Sequence, residues 1–163
     1  MTTKAIAIVR EQGSWTAHDL EPAEAQDLDS FADQMRDVGD ETIVAFLEED
    51  DEYLAIVRVG ADDPDPRVFL SDRRVLLTSD LAERLFSDAL PSMAGFSSDD
   101  EEDDAAVLTH AAPVGDLDLL VDLGTSAESL LELIGERGML PGDVISALSE
   151  RAGAGEILDD VRG

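Results

Sequence analysis

Thr42-Ile43-Val44-Ala45-Phe46-Leu47, then Glu48-Glu49-Asp50-Asp51-Glu52, then Tyr53-Leu54-Ala55-Ile56-Val57-Arg58-Val59: on this stretch the fold turns. Two short runs rich in β-branched and aromatic residues, separated by five acids, read as an antiparallel pair of strands in the middle of a sheet. A loop of that length leaves their register open. Upstream, residues 5–9 are a continuous apolar run, and Gly13 precedes a second extended stretch from Trp15 to Leu20, which reads as a hairpin opening the same sheet. Between hairpin and pair, Leu28, Phe31, Ala32, Met35 and Val38 fall at helical spacing and Gly39 stands as the stop.

Downstream, Asp62-Asp63-Pro64-Asp65-Pro66 breaks the chain, because proline lacks the ladder donor and restricts the residue before it. A short strand over residues 67–70 follows. Ser71 or Asp72 is placed to cap a helical turn, and a helix over residues 80–90 sets Leu81, Leu85, Phe86 and Ala89 on one face before Pro91 ends it. Periodicity then vanishes into Gly95, Ser97, Ser98 and the acids Asp99, Asp100, Glu101, Glu102, Asp103 and Asp104, a block whose self-repulsion reads as a flexible linker. The last fifty residues read as helical. Leu117, Leu119, Leu120, Val121 and Leu123 precede Gly124. Thr125 and Glu128 have capping-box spacing for a helix carrying Leu130, Leu131, Leu133 and Ile134. Pro141 opens another with Val144, Ile145 and Leu148, and a final short helix uses Ile157, Leu158 and Val161.

The expected fold class is α+β: an antiparallel sheet in the N-terminal part with helices packed largely on one face, an acidic linker, and a short all-helical C-terminal region. The corresponding division is an α+β domain at 1–94, a linker at 95–112 and a helical region at 113–163, either packed on the same core or separate. A chain of 163 residues with 44% apolar content can build such a core. With one Trp, one Tyr and five Phe, its interior rests on aliphatic residues.

Charge narrows the function. Thirty-nine acids against eleven bases give a net charge of −28, with Lys4 the sole lysine. That field repels nucleic acid and anionic membranes and is complementary to a basic protein. The absence of cysteine excludes disulfides, thiolate zinc sites and thiol nucleophiles. Residues 5–9 are too short for a signal-peptide core, no run approaches membrane-spanning length, and the expected location is cytoplasmic.

Candidate sites are few. Arg67, Arg73, Arg74 and Arg84 make a local positive island, whose ordinary role is pairing with surplus acids; a phosphate site is the sharper alternative, without the glycine-rich loop that would accompany it. The block from Asp99 to Asp104 offers a basic partner a docking point but lacks the ligand spacing of a calcium loop. His18 and His110 stand apart from any serine or metal-ligand pattern. The leucine-rich C-terminal helices are core in the ordinary reading and a docking face in the other. No catalytic, metal or cofactor residues emerge, and the expectation is a protein that is not an enzyme.

Four segments carry a resemblance: Glu52-Tyr-Leu-Ala-Ile-Val-Arg-Val59, Asp65-Pro-Arg-Val-Phe-Leu-Ser-Asp72, Gly115-Asp-Leu-Asp-Leu-Leu-Val-Asp-Leu-Gly124 and Leu140-Pro-Gly-Asp-Val-Ile-Ser-Ala-Leu-Ser-Glu-Arg-Ala-Gly153. In this order they resemble the actinobacterial tRNA adenosine deaminase-associated proteins. The resemblance implies association with a tRNA adenosine deaminase and brings no catalytic residues. The chain cannot itself be a zinc deaminase, since His18 is followed by Asp19-Leu20, His110 by Ala111-Ala112, and no cysteine is present. Three readings follow: a non-catalytic acidic accessory or adaptor protein binding a basic partner, a nucleic-acid mimic competing for a basic RNA-binding surface, and a carboxylate enzyme using a divalent metal.

Overall fold

The computed structural model describes residues 3–39, 41–49, 53–60, 63–71, 75, 79–86, 114–115, 118–135 and 141–157. Among the described residues, six antiparallel strands form one sheet in the order β2-β1-β3-β4-β5-β6. They are β1 (Thr3–Glu11), β2 (Ser14–Asp19), β3 (Thr42–Glu49), β4 (Tyr53–Gly60), β5 (Asp63–Leu70) and β6 (Val114–Gly115). β1 and β2 are a hairpin whose two turn residues, Gln12 and Gly13, both have positive φ (52° and 81°), the twist that a two-residue hairpin requires. The Gln12 N–H donates to a Glu41 carboxylate oxygen, 2.9 Å away, and so ties the tip to the start of β3.

Helix α1 (Leu28–Val38) carries the chain from the β2 edge back to β3, beside β1. Asp27 caps it by accepting the Ser30 N–H at 2.8 Å. Leu28, Phe31, Ala32 and Met35 are buried, the i, i+3, i+4, i+7 stripe of an amphipathic helix. They pack on one sheet face of Ala5, Ala7, Val9, Ile43, Ala45, Leu47, Ala55, Val57 and Val59. Its alanines leave room for the Phe31 ring and the Met35 chain. Helix α2 (Asp80–Phe86) joins α1 there and buries Leu81, Ala82, Leu85 and Phe86. Its cap is Ser79, whose hydroxyl accepts the Ala82 N–H and donates to the buried Glu49 carboxylate.

The opposite sheet face is Ile6, Ile8, Val44, Phe46, Leu54, Ile56 and Phe69. Helices α3 (Ala127–Gly135) and α4 (Pro141–Ala152), with the turn before them, cover it through Leu119, Leu120, Leu123, Leu130, Val144, Ile145 and Leu148. Helices therefore lie on both faces, against the expectation of one. β3 is buried at every position from Ile43 to Glu49, so neither face could be left wet.

Several local readings change. β5 starts at Asp63 and runs through both prolines, with a register irregularity opposite Arg58 to Gly60. This is tolerated because, among the described residues, β6 pairs only with Phe69 and Leu70, and the rest of the outer edge needs no ladder donor for them. Ser71 caps the sheet: its N–H donates to the Leu54 carbonyl and its hydroxyl accepts the Leu54 N–H. β6 is a strand in a region expected to be wholly helical. Leu119, Leu120 and Leu123 lie in a turn and a short 3-10 segment (Val121–Leu123), closed by Gly124 at φ 97°, while Leu117 lies outside the described residues. The cap of α3 is Ser126, whose hydroxyl accepts the Ser129 N–H, while the Thr125 hydroxyl is buried without a hydrogen bond among the described residues. α4 ends as expected near Gly153 (φ 89°), with Ala154 N–H on the Ser149 carbonyl and Gly153 N–H on the Glu150 carbonyl. One further helical turn occupies 155–157. The linker reading for 95–112, and Ala89, Leu90, Pro91, Asp72, Leu158 and Val161, lie outside the described residues.

Candidate functional site

Strand alternation and chain crossing decide which charged side chains meet. Arg67 and Arg84, two members of the proposed island, are on opposite faces of the sheet. Arg84 lies on α2, where its Nε donates to the Ala25 carbonyl at 3.0 Å and its second guanidinium nitrogen reaches the Pro22 carbonyl at 3.5 Å. It holds α2 to the turn that precedes α1. Arg67 lies on β5 directly across from Arg58 on β4, on the face that the C-terminal helices cover. Arg73, Arg74, the acids Asp99 to Asp104 and His110 lie outside the described residues. Half-buried His18 stands within 3.2 Å of the Thr16 hydroxyl.

The residue that sequence reading passed over is Arg58. Its guanidinium donates to the Leu119 carbonyl and, with two nitrogens, to both carboxylate oxygens of Asp122, at 2.5 and 2.7 Å. Such a forked pair fixes direction as well as distance. The hydrogen bond from Arg58 holds the Asp122 carboxyl below its usual value; partial burial opposes the shift, and the charges of Arg58 and Arg67 assist it. The signal was legible: one cation inside an otherwise apolar strand must find a partner when the strand is buried. The arrangement clamps the 118–124 turn to the sheet and presents no nucleophile.

A second cluster sits toward the other end of the same face. Lys4 stands opposite Glu48 in the β1–β3 register, and with Ile6, Phe46 and Ile145 they line a recess of about 10 Å³, room for one water. Among the described residues no group of three or more His, Asp or Glu side chains could hold a metal ion. No described helix is long and apolar enough to cross a membrane. On the outer surface α1 presents Asp29, Asp33 and Asp37, all exposed, at steps of four residues or about 6 Å along the axis. Arg36 lies 3.7 Å from Asp33, an exposed pair that offsets little of this charge.

Fold and surface together define a small acidic α+β protein whose sheet is covered on both faces. The chain belongs to the family of Rv3753c-like tRNA adenosine deaminase-associated proteins, which it matches over residues 3–155. It is similar to Protein Rv3753c of Mycobacterium tuberculosis (strain ATCC 25618 / H37Rv), at 26% identity over 159 residues, covering 96% of this chain and 85% of that protein. No solved structure matches. The resemblance read from the four segments is thus the family of the whole chain.

Proposed function

We propose that this protein is a non-catalytic accessory protein of the cytoplasm that binds a tRNA adenosine deaminase through electrostatic complementarity. The observation that carries the reading is the family match, which runs from β1 through α4 and bears the deaminase association in its name. The net charge of −28 supports it, because a tRNA-binding enzyme presents basic surface and an acidic partner is drawn to such a surface over long range. The test is co-purification of the two proteins at low and moderate salt. A complex that weakens as salt rises is expected; no complex at either salt removes the deaminase from the proposal.

A second reading has its own observation. The carboxylates of Asp29, Asp33 and Asp37 form a regular row of negative charge on a rigid helix, a geometry suited to occupying a phosphate-binding groove. Mimicry requires competition. Displacement of tRNA from the deaminase by saturating protein supports mimicry; unchanged tRNA binding removes it.

A further inference from the structure

The two edges of the sheet are built differently. On the β5 side, the Ser71 N–H points to β4, so by alternation Leu70, Val68 and Pro66 turn their backbone nitrogens outward. β6 covers the end of that row, and Pro66 has no N–H to offer. Together with the register irregularity, these are the usual protections of an edge. β2, at the other edge, has none of them among the described residues. Ser14-Trp15-Thr16-Ala17-His18-Asp19 contains no proline and no lysine, and its register with β1 runs without interruption from Glu11↔Ser14 to Ile6↔Asp19.

The hairpin fixes which backbone groups face outward. A two-residue turn makes Glu11 and Ser14 a hydrogen-bonded pair, and alternation gives Val9 with Thr16 and Ala7 with His18 as the next. The Leu20 N–H on the Ala5 carbonyl continues the same phase. Trp15, Ala17 and Asp19 therefore direct their N–H and C=O groups away from the sheet, and no described element pairs with them.

We propose that the β2 edge is a docking site for an extended, basic segment of a partner protein, which adds to the sheet as a seventh strand. Main-chain bonds to Trp15, Ala17 and Asp19 supply the pairing. Charge selects the occupant: Glu11, Asp19, Glu21 and Glu41 are exposed around the strand, while Arg10 is engaged over the Trp15 ring, 5.9 Å from its centroid. A second copy of this chain fits poorly, since each carries −28. The proposal deepens the accessory-protein reading and rests on it for the existence of a basic partner.

The test uses the full chain and, as probe, a synthetic peptide alternating Lys and Val, beside its counterpart with Glu for Lys. Amide exchange is followed by NMR. At low salt the Lys peptide slows exchange at Trp15, Ala17 and Asp19, binds at least about tenfold more tightly than the Glu peptide, and weakens as salt rises. Ala17→Pro removes an outward donor and lowers affinity about tenfold or more. His18→Pro removes a donor to Ala7 and lowers the unfolding midpoint further than Ala17→Pro does, which checks the phase of the strand. If Ala17→Pro does not fold, exchange in the unaltered chain decides alone. Three results overturn the assignment: no protection at the three amides, protection centred on α1, or a dimer of this chain that Ala17→Pro dissolves. The same exchange measurement with the deaminase separates the two proposals. Peptide binding at the edge without deaminase binding leaves the edge standing and removes that partner; deaminase binding with the three amides still exchanging freely does the reverse.

Discussion

The two faces of the sheet balance apolar burial and polar ties differently. Under α1 and α2 the contacts are large apolar side chains: Phe31, Met35, Leu85 and Phe86 are fully buried against a floor rich in alanine. The cover on the other face also buries leucines, but polar latches fix its position. Arg58 grips the Leu119 carbonyl and Asp122, and the Trp15 indole N–H donates to the Ala152 carbonyl at 3.1 Å. Burial is non-directional; on the first face polar ties, Arg84 to the Ala25 and Pro22 carbonyls and Ser79 to Glu49, place α2, while α1 meets the sheet through apolar side chains. A short turn and two short helices need direction as well, and hydrogen bonds supply it.

That contrast is open to breakage. Phe31→Ala leaves a ring-sized cavity at a site with no exposure, and a loss of about 3–5 kcal/mol is expected by denaturant titration. Amide exchange should accelerate on both faces, because the sheet they share loses a fully buried ring. A loss confined to α1 would show that the second face stands without the first.

Arg58→Met keeps the chain length and removes the latch, stranding the Leu119 carbonyl. About 1–3 kcal/mol is expected, with exchange rising at 118–135 and 141–157 ahead of β3 and β4. Uniform loss over the whole sheet would mean that the latch is part of the core and the contrast is false. Gly124→Ala meets a positive φ, and its Cβ would stand 2.6 Å from the Arg151 carbonyl oxygen. A cost of about 1–2 kcal/mol from the backbone alone is expected, again local to the second cover. Trp15→Phe keeps the ring and removes the donor to Ala152, for about 1 kcal/mol by thermal unfolding.

The smallest effect is one of pH. Asp122 has its folded carboxyl held below the ordinary 3.8, so its contribution is present above that value and is lost as pH falls through the lowered one. Its side chain is 62% exposed against 11% for Arg58, and solvent screening keeps the effect small. Acid titration should therefore loosen the 118–124 turn in the native chain and not in Asp122→Asn. Equal loosening in both would place the sensitivity elsewhere.

Much of this architecture was legible and some was not, for separable reasons. The strands around Thr42 and Tyr53 announce themselves by β-branched runs, and α1 by its spacing, because period and composition are local properties. The two-sided cover was written in the same runs: a strand apolar at consecutive positions has no face to give to water. The site was harder. Arg67 and Arg84 are near in sequence yet separated by the sheet, whereas Arg58 and Asp122 are distant in sequence and bonded, and only the chain's path decides such pairings. Thr125 matched the capping pattern and lost to Ser126, since a one-residue shift at a helix start lies below the resolution of pattern alone.

The chain contains a single tryptophan, and its position has a spectroscopic consequence. Trp15 touches an arginine, donates to the end of α4 and belongs to the strand at the open edge. Its emission therefore reads two events from one residue: release of Ala152 when the C-terminal cover lifts, and desolvation of the indole when a segment lies along β2. The protein carries its own fluorophore at the junction of its folding and its binding, and no label has to be introduced to watch either.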